Sequence, residues 1–142
     1  MDAKRLMIGD YIQFSRKHSS PLPPKPVQVF GIRYDGEISH KHLLNIVFCE
    51  SGVVQYNYNP EIFEPIPITK EFLEKNNLGR DGNFGIYEEY YDLTIREVSD
   101  GIWVFRYECT EMDVPYTQDV ISYVHELQQA LRRHEIDIDL KP

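Results

Sequence analysis

The sequence predicts an α+β fold, and three observations carry the prediction. Residues 8–68 alternate apolar and polar side chains in short runs separated by turn residues, as strands do. Residues 69–142 place two helical patterns on either side of a hairpin signal. A chain of 142 residues, 42% apolar and 27% charged, is also long enough to bury about two-thirds of its unfolded surface without disulfides or metals.

In the first half, Gly9-Asp10 turns the chain into a strand at 11–14, where Ile12 and Phe14 share a face. From His18 to Pro26 there are four prolines in six residues. They fix φ and remove backbone donors, which predicts an extended surface loop without strand or helix. A strand follows over about 27–34, then a turn at Asp35-Gly36-Glu37. Residues 43–50 form a nearly continuous apolar run, as a strand covered on both faces would. Ser51-Gly52 closes a tight hairpin onto 53–58, with Val54, Tyr56 and Tyr58 on one face. Asn59 is a capping residue, Pro60 suits a first helical position, and Pro65 and Pro67 stop what they start. A single 3₁₀ turn is therefore expected at 60–64. Four or five short strands closed by such a turn predict a small SH3-like β-barrel. Residues 1–68 form this half and residues 69–142 the other, together one compact unit.

In the second half, Thr69 caps a helix expected to run to about Leu78. Ile68 before the cap and Leu73 four residues after it make a hydrophobic staple, and Gly79 is the expected left-handed stop. Residues 79–86, with three Gly plus Asp and Asn, read as a loop. Strands at 92–98 and 102–108 flank Ser99-Asp100-Gly101. A two-residue turn would pair Ile95 with Arg106 and mix the faces. A three-residue loop with Gly101 left-handed pairs Ile95 with Phe105 and Leu93 with Tyr107, and puts Trp103 on the same face. Thr94 then lies beside Arg106, and Arg96 beside Val104. Segregated faces favour the three-residue loop. After Pro115, Thr117 is read as the cap of an amphipathic helix to about His134, with a stripe of Val120, Val124, Leu127 and Leu131. Ile136, Ile138 and Leu140 alternate with Asp137 and Asp139, as in a charged edge strand or a frayed tail.

Charge bounds function. Fifteen basic against 23 acidic side chains give −8, which argues against sequence-independent binding to a phosphate backbone. The distribution is uneven: residues 1–30 carry +3, and the other three quarters of the chain are each negative. No apolar run follows Lys4 and Arg5 as in a signal peptide, and none is long enough to span a membrane, so the expected location is the cytoplasm with both thiols reduced.

Three motifs occur in order: Leu6-x-Ile8-Gly9-Asp10-Tyr11-Ile12, Glu64-Pro65-Ile66-Pro67-Ile68-Thr69-x-Glu71-x-Leu73 and Tyr123-Val124-His125-x-Leu127-Gln128. Together they resemble a family of small bacterial proteins met in prophages and mobile elements. The sequence departs from that family in its proline segment and at Ala130 to Arg133. The resemblance implies architecture and genomic setting. It implies no activity, cofactor or catalytic residue.

Candidate chemistry is sparse. His40 and His42 on a turn, near Asp35 and Glu37, have the donor types of a metal site but lack a third spaced ligand, so surface histidines and no metal are expected. His125 lies off the centre of the helical stripe, which predicts an exposed flank residue. Cys49 and Cys109 end strands and read as unactivated core residues. The segment 21–26 has polyproline II composition and reads as a stiff loop. No phosphate loop, Ser/His/Asp signature or dinucleotide fingerprint is present, so no cofactor and no enzymatic activity are expected. The chain holds ten Tyr, and tyrosine carries interface energy at low entropic cost. The expected function is a non-enzymatic binding or accessory module that meets a protein partner through Tyr56, Tyr58, Tyr90, Tyr91 and His125. The alternative is a nucleic-acid protein, either a binder using the basic N-terminal edge or an acidic mimic of DNA. An enzyme with a dispersed site is a third class.

Overall fold

The computed structural model describes residues 1–19, 24–36, 41–80, 83–109 and 116–142. They fall into two compact units, Met1–Ile66 and Pro67–Lys141. Each unit is built on one five-stranded antiparallel sheet, so the fold is α+β.

In the first unit the strands are β1 (Tyr11–Phe14), β2 (Pro26–Asp35), β3 (Lys41–Phe48), β4 (Val54–Tyr58) and β5 (Phe63–Pro65), in the order β4-β3-β2-β1-β5. Residues alternating along these strands supply the core: Ile12, Val27, Val29, Leu44, Ile46 and Phe63, with Ala3 and Leu6 from an N-terminal 3₁₀ turn. Phe14 lies 4.9 Å from Phe63, 5.7 Å from Phe48 and 6.0 Å from Tyr58 between ring centroids. Tyr58 and Phe63 belong to the two end strands, and their rings meet at 5.8 Å. The sheet thus curls until its ends touch through side chains. No backbone ladder joins β4 to β5, so among the described residues the sheet is open. The expected 3₁₀ turn is Pro60–Ile62, with Asn59 Oδ1 accepting from the Glu61 N–H at 3.1 Å. Gly9 takes φ +95°, and the buried Asp10 accepts the Met7 N–H at 2.8 Å.

Two expectations for this unit are corrected. The loop from His18 to Pro26 is shorter: one helical turn, α1 (Arg16–Ser19), ends inside it and Pro26 opens β2, while residues 20–23 lie outside the described residues. Tyr56 and Tyr58 do not share a face. β4 carries an extra residue, since Leu44 pairs with Tyr58 but Ile46 with Gln55. Asn57 at φ +63° takes up the slack, its N–H donating to Asn45 Oδ1 at 3.0 Å. A bulge of one residue exchanges faces beyond it. Tyr58 therefore packs on the core, while Tyr56 stays exposed against Phe30.

In the second unit, α2 (Lys70–Lys75) begins at Thr69, whose Oγ1 accepts the Phe72 N–H at 3.1 Å. Ile68 and Leu73 are both buried, as the staple requires. The helix stops earlier than expected. Asn77, not Gly79, is the left-handed residue at φ +59°, and Leu78 N–H returns to Leu73 O in a Schellman closure. Gly79 is instead in strand β6 (Gly79–Arg80), followed by β7 (Asn83–Tyr87), β8 (Tyr91–Ser99), β9 (Ile102–Cys109) and β10 (Thr117–Ile121). The sheet order is β10-β9-β8-β7-β6. The segment read as a loop at 79–86 is thus a two-strand ribbon whose Phe84 and Ile86 pair with Ile95 and Leu93. Gly85 marks a close backbone approach to β8 rather than a turn.

The β8–β9 register is the expected one: Leu93 with Tyr107, Thr94 with Arg106, Ile95 with Phe105 and Arg96 with Val104. Leu93, Ile95, Trp103 and Phe105 are buried together. Gly101 stands at φ +70°, and a Cβ there would meet nothing within 4 Å, so only backbone conformation opposes a side chain. Gly101→Ala is expected to lower stability by about 1 kcal/mol in chemical denaturation.

The last helix is shorter than its sequence pattern suggests. Residues 117–121 are strand β10, paired along β9 from Thr117–Tyr107 to Ile121–Trp103. The helix α3 is Val124–Arg133, and the Glu126 carboxylate accepts the N–H groups of Ser122 and Tyr123 at 2.7 and 3.1 Å. Thr117 and Asp119 suit a helix start and an edge strand equally, and β-branched Val120 and Ile121 favour the strand. Val120 therefore leaves the helical stripe and is 69% exposed. The tail is neither strand nor frayed: Ile136 and Leu140 are buried, and Lys141 exchanges two hydrogen bonds with the Asn76 side chain at 2.7 and 2.9 Å. Like α2, α3 ends in a Schellman closure, here with Glu135 at φ +56° and Ile136 N–H on Leu131 O. A glutamate tolerates that conformation poorly, so Glu135→Gly is expected to raise stability by about 0.5–1 kcal/mol, read as a higher denaturation midpoint.

Candidate functional site

The sequence-predicted residues are divided between the two units. Tyr56 and Tyr58 belong to the first unit, Tyr90, Tyr91 and His125 to the second. Tyr56 and Tyr90 are exposed, and Tyr91 is half-buried and stacks on Tyr107 at 5.5 Å. His125 corrects its expectation: it is 5% exposed, near the start of α3, with the Tyr123 ring nearly parallel to it at 5.9 Å. With Val120 removed from the stripe, the buried positions are Val124, His125, Leu127, Gln128, Ala130 and Leu131. At 100° per residue these cover an arc of roughly 220°, wide enough to include the flank on which His125 lies.

His40 and Glu37 lie outside the described residues, and His42 packs against Tyr34 at 5.0 Å. Among the described residues no three His, Cys, Asp or Glu side chains gather as metal ligands do. Cys49 is exposed rather than in the core, with burial of its sulfur holding the thiol above its ordinary value against a hydrogen bond that lowers it. Cys109 is half-buried.

His134 has a displaced pKa. Its ring stacks on Tyr107 at 4.1 Å and Phe105 at 5.8 Å, and Nε2 lies 3.1 Å from Thr117 Oγ1. Burial and the neighbouring Arg133 push its pKa below 6.5, and Asp119 opposes them. A base with a lowered folded pKa is more readily protonated unfolded, so its contribution is intact above 6.5 and is lost as pH falls through the interval down to its folded pKa. His134→Gln is expected to flatten the fall of stability as pH drops below 6.5.

The outer face of the second sheet is where polar, cationic and aromatic side chains converge. The pairings set three rows across it: Arg96, Val104 and Val120; Gly85, Thr94, Arg106 and Gln118; Tyr87, Asp92 and Glu108. Gly85 gives the middle row no side chain at one end, and a hollow of about 340 Å³ opens on this face. Its lining includes Asn83, Tyr87, Thr94, Arg96, Arg106 and Gln118. The Arg106 guanidinium lies 3.9 Å over the Tyr116 ring, with Glu108 at 3.8 Å. Arg96 is exposed and makes no ion pair among the described residues. Tyr87, Tyr116 and Val120 are exposed as well. Sequence reasoning placed Thr94, Arg96, Val104 and Arg106 on one face, but it gave Asn83 to a loop and Gln118 to a helix and did not bring Tyr87 to this face. Alternation in Asn83-Phe-Gly-Ile-Tyr87 is the signal that marks β7.

A second hollow of about 340 Å³ lies between the start of α2 and the β8–β9 turn. Lys70 is drawn to Glu97 at 3.7 Å there. Trp103, on its wall, holds a buried indole N–H without an acceptor among the described residues. Its one cation is paired, and Glu71 and Asp100 leave this hollow acidic.

Comparison with protein-family models, with curated proteins and with solved structures finds no match to this chain. No helix among the described residues is long and apolar enough to cross a membrane.

Proposed function

We propose that the chain is a non-enzymatic binding module that takes hold of a protein partner on the outer face of its second sheet. One observation carries this reading: exposed Tyr87 and Tyr116 flank two arginines around a hollow on an open sheet face. Tyrosine and arginine are the side chains on which interface energy concentrates. The proposal keeps the tyrosine-mediated partner expected from the sequence and relocates its centre from Tyr56, Tyr58, Tyr90, Tyr91 and His125 to Tyr87 and Tyr116. The first unit is read as an SH3-like scaffold, because four strands in meander and a fifth returning through one 3₁₀ turn to β1 are the elements of that architecture. The cytoplasm, and the prophage setting implied by the resemblance, go with this reading.

A nucleic-acid partner is disfavoured by charge. Residues 67–141 hold eight basic and sixteen acidic side chains, so this unit carries the whole net charge of −8. Binding to random duplex needs many phosphate contacts. The test is affinity capture from source-cell lysate with the wild-type chain and Tyr87→Ala/Tyr116→Ala. A protein retained by the first and lost from the second supports the reading. Equal capture by both removes this face from it, and salt-sensitive nucleic acid as the only ligand replaces it.

A further inference from the structure

The geometry points to the hollow on the outer face of the second sheet as a binding site for a phosphomonoester group, taken between the guanidinium groups of Arg96 and Arg106. This goes beyond the partner reading and stands without it. Arg96 lies on β8 beside Val104, two residues from Thr94, which pairs with Arg106 on β9. The two arginines are therefore diagonal neighbours on one face, their Cβ atoms roughly 7–8 Å apart, close enough to oppose each other across one small anion. Like charges so placed repel, and they do so here in the unit that carries all of the net −8. An anion between them turns that repulsion into attraction.

The choice of anion follows from charge, shape and lining. Two positive charges match a phosphomonoester, which carries about two negative charges at neutral pH, better than a carboxylate, which carries one. Each guanidinium presents a planar fork of N–H donors that fits phosphate oxygens. Arg106 lies over the Tyr116 ring with Glu108 at 3.8 Å, so a phosphate must take it in exchange for that carboxylate, while Arg96 is uncommitted among the described residues. Thr94, Asn83 and Gln118 add neutral donors around the same hollow. Tyr87 and Val104 form an apolar wall, which suits an ester with an aromatic or aliphatic body rather than free phosphate. Asp92 and Glu108, paired in the third row, set an acidic border that confines the anion to the two arginines. About 340 Å³ accommodates a ligand the size of one side chain and no run of nucleotides.

Titration calorimetry on the full chain at fixed ionic strength tests the site, with phenyl phosphate, inorganic phosphate and benzoate as probes. Saturable binding of phenyl phosphate is expected, at least tenfold tighter than benzoate and tighter than inorganic phosphate. Arg96→Gln and Arg106→Gln should each weaken it tenfold or more, while Arg132→Gln, outside this face, leaves it unchanged. The two variants lie on different strands, so a folding defect in one leaves the other decisive, and far-UV circular dichroism identifies it. No saturable phenyl phosphate binding, equal binding of benzoate, or full binding by a folded Arg96→Gln chain overturns the proposal. A phosphotyrosine peptide separates the sources of the group. Binding tenfold tighter than phenyl phosphate assigns it to a phosphorylated partner chain, and equal or weaker binding to a free phosphorylated small molecule. Loss of partner capture on Tyr87→Ala/Tyr116→Ala with no response to phenyl phosphate would overturn the anion site and leave the binding module standing.

Discussion

Gly85→Ala is expected to destabilise the second unit by about 2–4 kcal/mol, well above the average single substitution. A Cβ built on Gly85 falls 2.1 Å from Leu93 O, 3.1 Å from Leu93 C and 3.2 Å from Thr94 Cα. All three are backbone atoms of the neighbouring strand, so no side chain can swing aside to relieve the clash. Relief requires β7 to draw away from β8, which loosens the pairings of Phe84 with Ile95 and Ile86 with Leu93 on either side. Phe84 also packs edge-on against Trp103 at 5.9 Å. Trp103 is the single tryptophan and is buried, so its fluorescence reports on this unit alone. Denaturation followed at that signal should show an early loss of midpoint and a red-shifted native spectrum. Gly101→Ala is the internal control, since its cost is conformational only. A Gly85→Ala chain no less stable than Gly101→Ala would mean that β7 does not approach β8 as closely as this.

That contrast also marks what a sequence reveals. The β8–β9 register was legible because only one pairing separates apolar from polar faces, and a slip of one residue would bury Arg106. The cap of α2 was legible because Thr69, Ile68 and Leu73 are local to one turn. The errors arose where a local signal has two physical uses. Glycine at 85 suits a turn, but it also suits two backbones in close approach. Thr117 and Asp119 suit a helix cap, but the pairing partner that makes them a strand is β9, ten residues back. The bulge at Asn57 depends on the Asn45 side chain, twelve residues away, and no periodicity of 53–58 contains it. The candidate site was half legible for the same reason. Its central residues lie on the hairpin, and its rim comes from the two strands that were misread.

Leu127→Ala should cost about 2–5 kcal/mol, from lost burial and the cavity left behind. Leu127 is fully buried on α3, between Val124 and Leu131, which are buried as well. The helix packs on the sheet's inner aromatic face, as His134 over Tyr107 and Phe105 shows, with Arg133 and Asp119 paired at 3.2 Å beside it. An Ala in place of Leu127 removes three carbons from a fully buried position. His125 makes the prediction diagnostic of helix orientation. An exposed flank histidine, which the sequence pattern implies, would tolerate truncation at almost no cost. The buried His125 of the structure should not: His125→Ala removes a ring packed beside Tyr123, and a loss of about 1–3 kcal/mol is expected. Trp103 fluorescence reads both variants in the same denaturation. Large losses for both place the helix as described, with its wide buried arc. A large loss at Leu127 with none at His125 would restore the narrow stripe and turn His125 outward, and a chain indifferent to Leu127→Ala would mean that α3 is not packed on this sheet at all.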